Sequence, residues 1–99
     1  MKNEILDNVP KVSKILKLLG NESRLKVLCF LSDHELNVSQ LEKETGLSQS
    51  QISQILKQLE LNQIVKGTRD GKYVNYEISS AEIKELFKSL HRIFCQRDY

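Results

Sequence analysis

Val12, Ile15, Leu16 and Leu19 recur at the spacing of one helix face, directly after Pro10, a residue that only a first helical turn tolerates. The pattern predicts a helix over residues 9–19, closed by Gly20. Asn21 then caps a second helix containing Leu25, Val27, Leu28, Cys29, Phe30 and Leu31, apolar on nearly every side and so expected at the centre of the core. Asn37 with Gln40 three positions on forms a capping box that opens a short third helix through Val38 and Leu41, ending near Gly46. Ser48 with Gln51 repeats the device at the start of a fourth helix over 48–61. Its apolar face is Ile52, Ile55, Leu56 and Leu59.

The period then changes from helical to alternating. Ile64 and Val65 begin a strand, Asp70-Gly71 signals a hairpin, and Val74, Tyr76 and Ile78 alternate with Tyr73, Asn75 and Glu77 in the returning strand. Ser79 with Glu82 suggests another capping box, followed by Ile83, Leu86, Phe87, Leu90 and Phe94 at helical spacing to the end. The expected order is ααααββα, mainly α with a small β wing, with minor strands beyond the reach of the pattern.

Ninety-nine residues are enough for one small core, so residues 1–99 are read as a single domain, without internal repeat or linker. The first helix offers Val12, Ile15 and Leu19, and the last offers Leu86, Leu90, Ile93 and Phe94. This is more apolar surface than such a core needs, which points to a homodimer through the first and last helices. There is no bilayer-length apolar run, and Met1, Lys2, Asn3 and Glu4 do not open a signal peptide. A cytoplasmic protein without membrane association is expected. Cys29 and Cys95 are too few for a secreted disulfide scaffold and default to free thiols.

Two helices joined at Gly46, with Leu41, Leu47, Ile52 and Ile55 as anchors, have the spacing of a helix-turn-helix. With the hairpin they predict a winged helix-turn-helix. The fourth helix then presents Ser48, Gln49, Ser50, Gln51, Ser53 and Gln54 as amide and hydroxyl groups able to read base edges, with Lys57 placed for a phosphate. The wing adds Lys66, Arg69 and Lys72 against Asp70. The stretch 33–44 sets Asp33, Glu35, Glu42 and Glu44 against Lys43, so positive potential is displaced toward the wing although the net charge is only +2. Double-stranded DNA is the partner this surface suits. An enzyme built on Cys95 and His91 would have little room for a substrate cleft, and a glutamine-rich face beside basic residues argues against a protein-binding adaptor.

Asn21-Glu22-Ser23-Arg24-Leu25, the segment Glu35 to Leu41, Leu47-Ser48-Gln49-Ser50 through Leu59, and Gly71 to Tyr76 resemble the ArsR/SmtB family of bacterial winged-helix repressors. The resemblance implies a homodimer joined through its first and last helices, an operator of imperfect two-fold symmetry, and release of DNA when an inducer is sensed. Where many members carry histidine in the recognition helix, this chain has Ile55.

Two metal sites associated with that family are missing. The Cys-x-Cys positions at the start of the third helix are Asn37 and Ser39, and the final helix offers His91 but no aspartate before Asp98, so neither metal nor cofactor is expected. The runs Leu28-Cys29-Phe30-Leu31 and Leu90 to Gln96 are instead similar to the BigR/HlyU/SqrR-like branch. There, a cysteine pair so placed answers reactive sulfur species or oxidants with a disulfide or polysulfide bridge. Two alternatives stay open: an unusual zinc site from Cys29, His91 and Cys95, and a constitutive DNA-binding regulator that counteracts silencing with cysteines that merely pack. His34 has no companion and reads as a loop residue.

Overall fold

The computed structural model describes residues 4–95. Met1, Lys2, Asn3, Gln96 and Asp98, on which parts of the sequence reading fall, lie outside the described residues. The elements are α1 (Glu4–Asp7), α2 (Val9–Leu19), α3 (Glu22–Leu31), α4 (Val38–Thr45), α5 (Gln49–Leu61), β1 (Val65–Asp70), β2 (Tyr73–Ile78) and α6 (Ala81–Leu90), followed by a π-helical turn, His91–Cys95. The winged helix-turn-helix architecture follows. The expected first helix is α2, with Pro10 in its first turn, and the short α1 before it is an addition.

Local side-chain chemistry sets most helix starts. Asn21 Oδ1 accepts from the Arg24 amide at 3.0 Å. Asn37 and Gln40 close a reciprocal box, with the Gln40 amide donating to Asn37 Oδ1 at 2.8 Å and the Asn37 amide to Gln40 Oε1 at 2.9 Å. Ser48 and Gln51 do the same at 3.1 Å in each direction. Each cap satisfies amides that the helix itself leaves unpaired, and losing one costs about 1 kcal/mol. The last helix departs from expectation by one residue. Ser80, not Ser79, is its cap, because the Ser79 amide donates to the Ile64 carbonyl at 2.9 Å and so still belongs to the end of the hairpin.

β1 and β2 pair antiparallel from Val65↔Ile78 to Asp70↔Tyr73, so the turn pair is Gly71-Lys72, one residue beyond the expected signal. Gly71 has φ of +65°. Positive φ at the first central position alone is the arrangement that asks for glycine there. The strand begins at Val65; Ile64 is buried just before it, its amide donating back to Leu59 at the end of α5. A minor strand contact does exist: Leu36 and Tyr76 exchange two backbone hydrogen bonds of 3.0 and 2.8 Å, attaching the segment before α4 to the wing.

The core lies between α3, α4, α5 and the base of the wing. Val27, Leu28, Leu41, Ile52 and Leu59 are fully enclosed, joined by Ile83 and Phe87 from α6. Each such side chain contributes about 1.5–3 kcal/mol of burial free energy. The expectation for α3 was too inclusive. Val27, Leu28 and Leu31 point inward, Leu25 and Phe30 are half-buried, and Cys29 is exposed. Leu19 likewise turns into the protomer's own core at 6% exposure, which removes it from the surface offered to a second chain.

Candidate functional site

The turn between α4 and α5 fixes the direction of the polar helix face. Gly46 holds φ of +76°, a left-handed conformation costly for any side chain, and its amide donates to the Glu42 carbonyl. Thr45, buried beside it, donates to the Leu41 carbonyl at 2.6 Å and accepts from the Leu47 amide at 3.1 Å. The Thr45 hydroxyl therefore locks both arms of the turn. A threonine one residue before the turn glycine was the available signal for this role, and the hydrophobic pattern passes over it.

With Ile52, Leu56 and Leu59 anchored in the core, α5 turns Gln49, Ser50, Ser53, Gln54 and Lys57 to solvent. Ser48 and Gln51 are exposed as well, but their side chains are occupied. Ser48 Oγ and Gln51 Oε1 form the capping box and are also within 3.2 Å of each other. Their first job is to hold the helix N-terminus, whose free amides suit an anionic backbone. Ile55 is half-buried against the core, so the apolar residue at this place in the recognition helix packs inward. On the wing, Lys66, Arg69 and Lys72 are all exposed, and Lys72 Nζ lies 5.6 Å from the centre of the Tyr73 ring. Tyr76 faces the wing's inner side. Burial pushes its phenol pKa up and the Glu60 carboxylate adds to the effect, keeping it neutral.

One contact that sequence reading missed ties these parts together. Arg24 Nη2 donates to Gln58 Oε1 at 2.9 Å, and Arg24 Nη1 reaches the Leu18 carbonyl at 3.4 Å. The guanidinium thus spans the end of α2, the start of α3 and the outer half of α5.

The two cysteines come from distant parts of the chain, and both are exposed free thiols. Burial of part of its side chain pushes the Cys29 pKa up, and the charges of Cys95 and Asp33 push it further. The π-helical turn gives Cys95 a direction that an uninterrupted α-helix would not. Neither thiol is enclosed within the single chain. Among the described residues, no three His, Cys, Asp or Glu side chains converge as metal ligands, so the alternative zinc set of Cys29, His91 and Cys95 is not assembled. Also among the described residues, no helix is long and apolar enough to cross a membrane.

Of the apolar residues expected at a dimer contact, Val12, Ile93 and Phe94 are exposed and Ile15, Leu86 and Leu90 are half-buried. Val9 and Leu16, which the expectation omitted, extend the exposed stripe on α2, and Ile5 and Leu6 on α1 are exposed too. Lys11 pairs with Glu82 at 3.3 Å, which brings α2 near the start of α6.

The family model described as bacterial regulatory protein, arsR family, matches residues 21–66, from the cap of α3 into the first strand. The transcriptional activator HlyU of Vibrio cholerae is 40% identical over 93 residues, spanning 94% of this chain and 86% of that protein. The biofilm growth-associated repressor of Xylella fastidiosa is 33% identical over 88 residues, spanning 89% and 77% respectively. Among solved structures, reduced HlyU from Vibrio cholerae superposes with a TM-score of 0.87 at 40% identity, covering 94% of this chain and 98% of that one. The transcriptional repressor BigR from Xylella fastidiosa superposes with a TM-score of 0.86 at 32% identity, covering 98% and 100%. These relatives are named as regulators of transcription, and the two solved structures superpose over nearly the whole of this chain. The chain belongs to the ArsR family of bacterial regulatory proteins.

Proposed function

We propose that this chain is a cytoplasmic, homodimeric repressor whose affinity for a two-fold operator is switched by bridging Cys29 and Cys95 into a disulfide or polysulfide. The observation that carries the reading is that both thiols are free and exposed, with Cys95 among the charges that raise the Cys29 pKa although the two come from different helices far apart in sequence. A bridge there links α3, whose start is tied to the recognition helix by Arg24, to the end of the terminal helix. Relatives named as an activator and as a repressor of transcription support the regulatory role.

One thiolate attacks the sulfur donor and the second thiol, once ionised, resolves the adduct; both are exposed to such a donor. Closing a disulfide takes two protons and two electrons from the pair, and the electrons reduce a sulfane sulfur of an inorganic polysulfide to sulfide. A dimer reads two half-sites at fixed spacing, so tilting one recognition helix relative to its mate weakens both contacts together. Gln49, Ser50, Ser53 and Gln54 read bases in this arrangement, while Lys57, Lys66, Arg69 and Lys72 meet phosphates. Val9, Val12, Leu16, Ile93 and Phe94 close the dimer.

The test begins with operator fragments selected from genomic DNA by the reduced protein. Sedimentation should show two chains per operator. Inorganic polysulfide should lower affinity by about 5- to 150-fold, the usual range of allosteric coupling. Intact mass should show loss of two hydrogens for a disulfide, and the same loss together with added whole sulfur atoms for a polysulfide bridge. Cys29→Ser and Cys95→Ser should bind operator and ignore the treatment; a response that survives in the double serine variant refutes the switch.

A further inference from the structure

An open cleft of about 550 Å³ lies between the end of α3, the end of β2 and one side of α6. Its floor is apolar, made by Leu31, Ile78 and Phe87, all buried. Its lining is charged, with signs separated by element. Asp33 and Glu35 from the α3–α4 connection and Glu77 from β2 line one side; Lys84 and Lys88 from α6 and His91 from the following turn line the other.

Among the described residues, no ion pair joins these two sides. Lys88 pairs only with Glu85 on its own helix, at 3.9 Å, where both side chains are largely in water. Most of these groups are exposed, so water meets both signs in the open cleft, and a ligand carrying both signs can replace that water with direct charge-assisted pairs. A dianion would meet the carboxylates and a dication the lysines. A wholly apolar ligand would cover charged groups without pairing them, which is costly. A divalent metal ion lacks a converging ligand set among the described residues. The cleft lies within the ordinary size range of small-molecule sites.

We propose that this cleft binds a small zwitterionic ligand of amino-acid or short-peptide class. Its ammonium faces Asp33, Glu35 and Glu77, its carboxylate faces Lys84 and Lys88, and an apolar side chain covers Leu31 and Phe87. Such a ligand spans the segment leading into α4, the base of the wing and the terminal helix without a covalent bond. The site does not rest on the cysteine reading, since neither thiol lines it.

The probes are the dipeptide alanyl-leucine and its N-acetylated and C-amidated forms, titrated into the full chain by calorimetry and by amide chemical shifts. Alanyl-leucine should bind saturably, with shifts concentrated at residues 31–35, 77–78 and 84–91. Each cap should weaken binding by about tenfold or more, a change of 1.4 kcal/mol or more. Lys84→Met should abolish the preference for the free carboxylate over the amide. Glu77→Gln should reduce the preference for the free ammonium over the acetylated form. These are differences between probes within one variant, so a general loss of fold does not imitate them. The double variant Cys29→Ser/Cys95→Ser should bind alanyl-leucine like the parent, which separates this site from the thiol switch. The proposal is overturned by absence of saturable binding at millimolar probe, by equal binding of free and capped forms, or by shifts that map elsewhere.

Discussion

Arg24 and Gln58 lie thirty-four positions apart in sequence, yet the guanidinium donates to the side-chain amide oxygen at 2.9 Å, joining the first turn of α3 to the outer part of α5. The same guanidinium touches the last turn of α2. The bond to Gln58 is exposed and the one to Leu18 part-buried, so the charged donor contributes about 1 kcal/mol through the two together. Arg24→Ala should lower the melting temperature by about 4–8 °C for a domain of this size. A double-mutant cycle with Gln58→Ala, read by urea denaturation, should return a coupling of about 0.5–1.5 kcal/mol. Strict additivity of the two substitutions means that the contact does not hold α5.

On the polar face of α5, residues that look alike in sequence should behave differently. Gln49→Ala or Gln54→Ala should change base preference and cost about 1–3 kcal/mol of operator affinity, because each removes an uncommitted amide. Gln51→Ala should instead lower stability by about 0.5–1 kcal/mol, because its amide oxygen closes the capping box. Arg69→Ala and Lys72→Ala should weaken all sequences alike and reduce the salt dependence by about one unit of slope each. Binding isotherms on operator and scrambled DNA at several salt concentrations check all of these. Wild-type affinity in the Gln49, Gln54, Arg69 and Lys72 variants at every salt concentration shows that DNA binds elsewhere.

The charge environment of Cys29 has a definite sign. Its raised pKa disfavours the thiolate, first through burial and then through Cys95 and Asp33. In a Cys95→Ser background the pH midpoint for alkylation of Cys29 should still lie above that of the denatured chain, and Asp33→Asn should lower it. The same shift bears on stability. A thiol held protonated by the fold contributes stability that is fully present below the unfolded thiol pKa and is lost as pH rises through the folded value. Iodoacetamide kinetics across the alkaline range measure the midpoint; an unchanged value in the Asp33→Asn variant removes that carboxylate as a cause.

Two helix ends should respond in opposite directions to glycine chemistry. Gly46, at φ of +76°, ends α4, and Gly46→Ala should destabilise by about 1–2 kcal/mol. α5 ends with Gln63 at φ of +61°, with its amide donating to Glu60 and the next amide, of Ile64, donating to Leu59. That is the bonding of a helix terminus that prefers glycine. Gln63→Gly should therefore stabilise by about 0.5–1 kcal/mol, somewhat less than the strain it relieves because glycine also frees the unfolded chain. Thermal denaturation of the two variants decides it; a destabilised Gln63→Gly contradicts the account.

The pattern of agreement follows the range of the forces involved. Helix starts at Asn21, Asn37 and Ser48 were legible because a cap and its amide lie within three residues of each other. Ser79 and Ser80 are adjacent serines with equal capping chemistry, and where the hairpin ends against distant Ile64, which accepts from Ser79 at 2.9 Å and from Ser80 at 3.4 Å, decides between them. Cys29 reads as core from its apolar neighbours, because a one-dimensional run does not show which side of α3 meets the interior. The π turn at His91–Cys95 escapes a search made with the α-helical period. The contacts that organise the candidate sites, namely Arg24 with Gln58, Leu36 with Tyr76, and the opposed charges around the cleft, join residues far apart in sequence. No local pattern marks them.

The two hydrogen bonds between Leu36 and Tyr76 have a mechanical meaning. They clamp the wing to the segment that launches α4, while Thr45 clamps α4 to α5. Helix pair and wing are thus one stiff jaw with no hinge inside it. In a dimer joined through its terminal helices, as proposed above, such chains would work like a pair of calipers: the jaws keep their shape, and the gap between them is set at the pivot. Any signal that acts at that pivot changes the distance measured along the DNA and leaves the teeth of each jaw as they were.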